Sequence, residues 1–175
     1  MTRLMKIAAC AAALFAFATP AMAQSSATQS TTGTTKIIQP ITLAKNTDLA
    51  FGSVVKPNSG ANSVAIDATS GARALTGGGD AALAPSTSGR ATYTVTGEGG
   101  QTFSISTPAS FDMQRQGGSE TITVALTQSA ATGTISGALG STGTAAFGVG
   151  GSFDVSSATA SGAYSGSFDV TVAYN

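Results

Sequence analysis

The side chains able to do chemistry in this chain are few: eight acidic, eight basic, three tyrosines, one cysteine and no histidine. Glu98 and Glu120 are its only glutamates. Two carboxylates can serve glycoside hydrolysis as acid and base, but both sit beside glycine-rich turns, Gly97–Gly100 and Gly117–Gly118, where solvated charge is the ordinary arrangement. Asp154 and Asp169 fall at matching places in Gly151-Ser152-Phe153-Asp154-Val155 and Gly166-Ser167-Phe168-Asp169-Val170. As calcium ligands they would need six to eight oxygens, usually drawn from one loop, and no Asp/Asn-rich loop surrounds them. The echo reads instead as two strands solving one packing problem, Phe and Val inward and Ser and Asp outward. Gly77-Gly78-Gly79-Asp80 lacks the Lys-Ser/Thr of a phosphate loop. Asp112, Arg115 and Glu120 read as a charged, soluble loop. The usual base near neutral pH is missing with histidine. No catalytic residue, metal ligand or cofactor is predicted, and the expected role is non-enzymatic.

The strongest pattern lies at the C-terminus. Tyr164, Phe168, Val170, Val172 and Tyr174 share one parity, and Ser165, Ser167, Asp169 and Thr171 share the other. Side chains on a strand point to opposite faces in turn, so this period of two predicts one buried and one wet face up to Asn175. Most domains fray at their ends. A chain that carries its last residues into a sheet uses them as a structural or recognition element.

The N-terminus reads as an export signal. Arg3 and Lys6 precede an apolar run, Ile7 to Thr19, and Ala21-Met22-Ala23 supplies small residues for cleavage before Gln24. Cys10, the only cysteine, lies within that run and upstream of the cleavage site, so it does not suit lipid attachment. Residues 1–23 are therefore expected to be removed. The mature chain would have no thiol, no disulfide and no membrane span, and would reside in the periplasm, on the cell surface or outside the cell. It would carry a small excess of acidic groups. Clustered Lys and Arg, needed for nucleic acid or an acidic membrane surface, are absent.

These few groups must be positioned by strands. Residues 24–35 are Ser, Thr, Gln, Ala and Gly and are predicted to form a flexible polar tail. Residues 36–175 are predicted to form one domain. Ile37, Ile41 and Leu43 share a parity interrupted by Pro40, which marks an edge or bent strand. Leu49, Phe51 and Val55 follow, then Val64 and Ile66. Tyr93 and Val95, the Gly97–Gly100 loop, and Phe103 and Ile105 read as a β-hairpin. Ile122, Val124 and Leu126 form another strand, as do Phe147 with Val149 and Phe153 with Val155. Glycine-rich breaks at 77–79, 117–118 and 150–151 separate these runs. No helical period follows the signal. The expected fold is all-β, an immunoglobulin-like antiparallel two-sheet sandwich of about eight or nine strands.

Several stretches together resemble a known group: Ile41-Thr42-Leu43, Asp48 to Val55, Tyr93 to Gly97, Gly118 to Val124, and the ending Gly162-Ala163-Tyr164-Ser165-Gly166 with Phe168, Val170, Val172 and Tyr174. They resemble the secreted bacterial family catalogued as domain of unknown function 4402, across about residues 35–175. The ending is also similar, more distantly, to chaperone–usher pilins and spore coat protein U-like domains. There a tyrosine is often penultimate and a glycine lies fourteen places from the end, positions held here by Tyr174 and Gly162. That resemblance implies a sandwich lacking one strand. A periplasmic chaperone would lend the strand and anchor the terminal carboxylate, here of Asn175, until a neighbouring subunit's extension replaced it. A donor in this chain would lie at about Thr34 to Ala44, using Ile37, Ile41 and Leu43, which fit equally well as the domain's own first strand.

Three functions follow as expectations. The first is an exported pilin-like or coat subunit, assembled by edge-strand pairing with itself or related subunits. The second is a self-complete monomeric surface or matrix protein. The third is a carbohydrate-binding module, which would need exposed aromatic rings for sugars to stack on.

Overall fold

The computed structural model describes residues 25–175, so the expected signal peptide at 1–23 lies outside the described residues. Residues 25–35 are exposed throughout and have no regular secondary structure. The larger compact unit runs from Lys36 to Asn175. It is all-β: β1 (Thr42–Thr47), β2 (Val54–Val55), β3 (Ala61–Ile66), β4 (Arg73–Gly77), β5 (Ala82–Leu83), β6 (Ala91–Glu98), β7 (Thr102–Ser106), β8 (Ser110–Arg115), β9 (Thr121–Gln128), β10 (Thr132–Thr134), β11 (Thr142–Ser156), β12 (Tyr164–Ser165) and β13 (Thr171–Tyr174). Thr and Val favour pleated strands, and no helix occurs among the described residues.

An eight-stranded sheet runs in the order β1-β6-β11-β9-β8-β12, with β3 on β11 and β4 on β3. It curls into a half-barrel. Three strands, β10-β7-β13, form a second sheet, and β2 with β5 a third. Strand β11 organises them. Its first half, Thr142–Val149, pairs with β6, and its second half, Gly151–Ser156, pairs with β3. The change of partner falls at Gly148, Gly150 and Gly151. A Cβ at Gly148 would sit 2.3 Å from the Ala68 carbonyl oxygen, and one at Gly150 would sit 2.2 Å from that of Ile66. Side chains there would force the neighbouring backbone away.

Two apolar clusters fill the interior. One is built on Ala91, Tyr93, Val95, Phe103, Ile105, Ile135, Phe147 and Val149. The other is built on Phe51, Val64, Ile66, Val124, Phe153 and Val155. Leu49 and Leu126 pack against both. Tyr93 stacks on Phe147 at 5.2 Å, and Phe51 meets Phe153 edge-on at 5.0 Å. Such pairs add about 0.5–1.5 kcal/mol beyond the area they bury.

Four expectations are corrected. The described residues hold thirteen strands rather than about eight or nine, because short pairings such as β2 with β5 carry no periodic signal. The predicted hairpin is an arch: β6 and β7 belong to different sheets and share no ladder, linked by a turn bond from Gln101 N–H to the Glu98 carbonyl at 3.4 Å and by the clustered side chains of Tyr93, Val95, Phe103 and Ile105. Its glycine turn bonds elsewhere, Gly99 N–H to Ser141 and Gly100 N–H to Ile135. Gly150-Gly151 lies inside β11 and is no break. The repeated Gly-Ser-Phe-Asp-Val gives strand only in its first copy, because the second lies between β12 and β13. There Gly166 crosses so close to Asp112 that a Cβ would lie 2.3 Å from the Asp112 carbonyl oxygen.

Gly150→Ala should lower stability by about 1–3 kcal/mol through overpacking. Urea unfolding would check this, and a change within error would show that β11 does not need the close approach.

Candidate functional site

The C-terminal stretch crosses between two sheets. Strand β12 pairs with β8, and β13 pairs with β7. The alternation of the sequence survives this crossing, with Tyr164, Phe168, Val170, Val172 and Tyr174 all half-buried and their intervening residues exposed. A single continuous strand to Asn175 is therefore replaced by two short ones with an irregular link. Phe168 packs on Phe111 at 4.9 Å, and Val170, Val172 and Tyr174 lean on the first apolar cluster.

β13 ends its sheet. Asn175 N–H donates to the Thr102 carbonyl, and the register pairs Thr171 with Ser106 and Ala173 with Ser104. In an antiparallel ladder alternate residues face the partner, so the backbone groups of Val172 and Tyr174 point away from β7. Among the described residues no strand pairs with that outer side. β1 is likewise an edge, paired only with β6.

A polar latch ties the end of the domain to its beginning. The Tyr174 hydroxyl accepts the Glu98 N–H at 2.8 Å and donates to the Gln39 carbonyl at 3.0 Å. Glu98 is 2% exposed. One of its carboxylate oxygens accepts the Gln39 N–H at 3.2 Å and the other accepts the Gly140 N–H. The Thr142 hydroxyl donates to the Gln39 side-chain oxygen at 2.7 Å. Gly97 makes room, since a Cβ there would lie 2.2 Å from the Tyr174 hydroxyl oxygen. The expectation of a solvated Glu98 is thus overturned: backbone N–H groups replace water around it. Strand parity gave no warning, because Gly97 and Glu98 are consecutive and both buried. Glu120 is exposed and bonds Arg115 at 2.9 Å.

From the latch an open seam runs between the first and last parts of the domain. Gln39 lies across from Tyr174. A cavity of 270 Å³ then lies between Lys45, Asp48 and Leu49 on one side and Tyr164–Phe168 on the other. A second, of 570 Å³, lies between Leu49–Val54 and Thr159–Tyr164. Leu49, Phe51, Met113 and Tyr164 line both. Gly162, at φ +156°, packs against the Arg115 side chain, and the Tyr164 hydroxyl donates to the Ala160 carbonyl at 2.8 Å. Ile41 and Leu43 pack on the first cluster, with Leu43 opposite Val95 in the β1–β6 pairing, whereas Ile37 is 87% exposed. The structure therefore brings together Gly162, Tyr164, Phe168, Val170, Val172, Tyr174, Ile41 and Leu43 along one seam. It leaves Ile37 outside the core and Asn175 exposed at the end of the edge.

Charged groups elsewhere are held locally. Backbone N–H bonds, from Ser70 to Asp67 and from Ser59 to Asp80, hold both carboxyls below their ordinary range. Glu120 is lowered by backbone N–H bonding and then by Arg115. Burial pushes the Tyr93 hydroxyl up. The bond to Asp48 raises Lys45. Among the described residues no three acidic, histidine or cysteine groups converge on a metal site, and no helix is long and apolar enough to cross a membrane.

Tyr174→Phe strips one partner from the Glu98 N–H and one from the Gln39 carbonyl, and should cost about 1–3 kcal/mol in urea unfolding. No loss would mean that the latch is idle. The lowered carboxyls of Asp67, Asp80 and Glu120 stabilise the fold while ionised. Their contribution is complete above about pH 5 and is lost as pH falls through and below about 4. Thermal melts across pH 2–7 would show this as a declining acid limb, and a flat profile would contradict it.

The family model described as Domain of unknown function (DUF4402) matches residues 41–174, from β1 to the penultimate tyrosine. No curated protein and no solved structure matches the chain. The matched span contains both edges, the seam and all of the latch except Gln39, and on that match the chain belongs to the DUF4402 family.

Proposed function

We propose that this chain is an exported structural subunit of the bacterial surface, a pilin-like or coat component that joins its neighbour by edge-strand pairing. In this reading the domain is an immunoglobulin-like sandwich whose seam holds the place of one strand. One observation carries it. Among the described residues no strand is hydrogen-bonded to the outer edge of β13, although β1 approaches it, and its side chains Val172 and Tyr174 are only half-buried. An edge normally protects itself with charge, proline or bulges. β13 has none of these within Thr171–Tyr174. Addition of a strand would satisfy the outward backbone groups of Val172 and Tyr174 and cover the apolar face in one step.

The self-complete monomer is favoured by a different observation: β1 pairs with β6 of its own domain, and Ile41 and Leu43 fill its own core. That use of β1 restricts any donor segment to the residues before Gln39. A carbohydrate site finds little support in the tyrosines: Tyr93 is 6% exposed, and Tyr164 and Tyr174 are tied through their hydroxyls.

Deleting Phe168–Asn175 should abolish both assembly and solubility. Val172→Pro separates the two, because it removes an outward N–H and some packing on the first cluster but none of the hydrogen bonds to β7. Electron microscopy of the purified exported protein should show regular assemblies from the parent chain and isolated particles from Val172→Pro, whose melting transition stays cooperative. Isolated particles from the parent, or unchanged assemblies from Val172→Pro, would count against the proposal.

A further inference from the structure

The ladder between β9 and β11 ends at Ala125 and Ser152. Beyond it lie Ile122 on β9 and Phe153 and Val155 on β11, and these border the 570 Å³ cavity together with Phe51, Met113 and Tyr164. That volume falls within the range of about 300–1,000 Å³ typical of small-molecule sites, which are mostly apolar with a few placed polar groups. The backbone around it is already occupied. The carbonyls of Ala50, Phe51 and Ser53 on one wall, and of Thr159, Ala160 and Ser161 on the other, all accept hydrogen bonds from elsewhere in the domain. A peptide placed here would find few acceptors for its N–H groups, and a covered, unpaired peptide group is costly. A hydrocarbon chain asks for none and makes dispersion contacts along the whole apolar wall.

Charge marks one end of this cavity. Lys56 is the one charged residue that lines it. Its ammonium donates to the carbonyls of Ser157 and Thr159 at 3.1 and 3.3 Å, which leaves one of its three N–H groups free. Lys56 forms no ion pair among the described residues. Arg73, which braces the wall through the Phe51 and Ser53 carbonyls at 3.0 and 3.3 Å, is likewise without a carboxylate there. The acidic groups nearby are turned elsewhere. Asp154 alternates with Phe153 and Val155 on β11 and so faces the opposite side, exposed. Glu120 is held by Arg115. A cation without a counter-ion at the rim of an apolar cavity favours a ligand that is anionic at one end.

We propose that this cavity binds a single-chain anionic amphiphile, a medium-chain fatty carboxylate. Its hydrocarbon chain lies against Phe51, Ile122, Phe153 and Val155, and its carboxylate accepts from the Lys56 ammonium. The site uses neither the outer edge of β13 nor the latch, so it stands apart from the edge-pairing reading and is tested separately.

The test uses residues 24–175 with labelled Ile and Val methyls. The probes are octanoate, nonanoate and decanoate below their micellar concentrations, decanol, and a twelve-residue peptide of alternating Leu and Ser. Methyl NMR reads Ile122 and Val155, and calorimetry reads affinity. The acids should shift both methyls saturably, and each added methylene should tighten binding about fourfold. Decanol should bind about fivefold more weakly than decanoate. Lys56→Gln should bring decanoate down to the level of decanol, and Lys56→Arg should preserve the preference. Val155→Phe, which fills the cavity, should weaken decanoate about tenfold while its melt stays cooperative. If that variant does not fold, the two Lys56 variants on the exposed rim decide alone. No saturable methyl shift with any acid overturns the proposal. Equal binding of decanol and decanoate overturns it by removing the role of Lys56. Methyl shifts with the peptide but not with the acids overturn it in favour of a polypeptide site.

Discussion

A strand with a neighbour on one side has settled only half of its backbone. In β13 the N–H and C=O groups of Thr171 and Ala173 face β7, while those of Val172 and Tyr174 face outward. Unpaired peptide groups are tolerated in water and costly when covered without partners. This one-sidedness governs the rest of the domain. It makes the C-terminus a surface that either stays wet or accepts a strand, and it accounts for apolar side chains there that are only half-buried.

What keeps such an edge from fraying is the latch beneath it. Tyr174 reaches the last residue of β6 and the segment before β1, so the last strand is bound to the start of the domain by a hydroxyl rather than by a ladder. Glu98 fixes the same segment through Gln39 and holds the loop before β11 through Gly140. A buried carboxylate is costly unless its lone pairs are met by donors, and here backbone N–H groups meet it. The seam is tied at this end and widens into cavities at the other. Tyr174 serves both ends: its hydroxyl anchors the latch while its backbone N–H and C=O face outward.

Much of this was legible in the sequence because period two is a local signal. The parity of Tyr164, Phe168, Val170, Val172 and Tyr174 predicts which side chains lean inward, and all five do so. The all-β class and the strands around Val64, Tyr93, Phe103 and Val124 follow from the same rule. Sheet membership does not. Tyr93 and Phe103 alternate identically whether their strands lie side by side or face each other across a core, so the arch read as a hairpin. Gly150-Gly151 resembles a break because composition cannot distinguish a turn from a strand pressed against its neighbour. Glu98 was misplaced for a related reason: its partners are backbone amides from Gln39 and Gly140, which no side-chain pattern records.

The most direct measurement is amide hydrogen exchange, read residue by residue, on residues 24–175 before and after the proposed assembly. Before assembly, Ala173 and Asn175 should exchange slowly while Val172 and Tyr174 exchange fast. After assembly all four should be slow. Uniformly fast exchange in the isolated domain would mean that the terminus is not held in the sheet. Slow exchange at Val172 and Tyr174 in a monomer would mean that the edge is already covered, and either result would contradict the account.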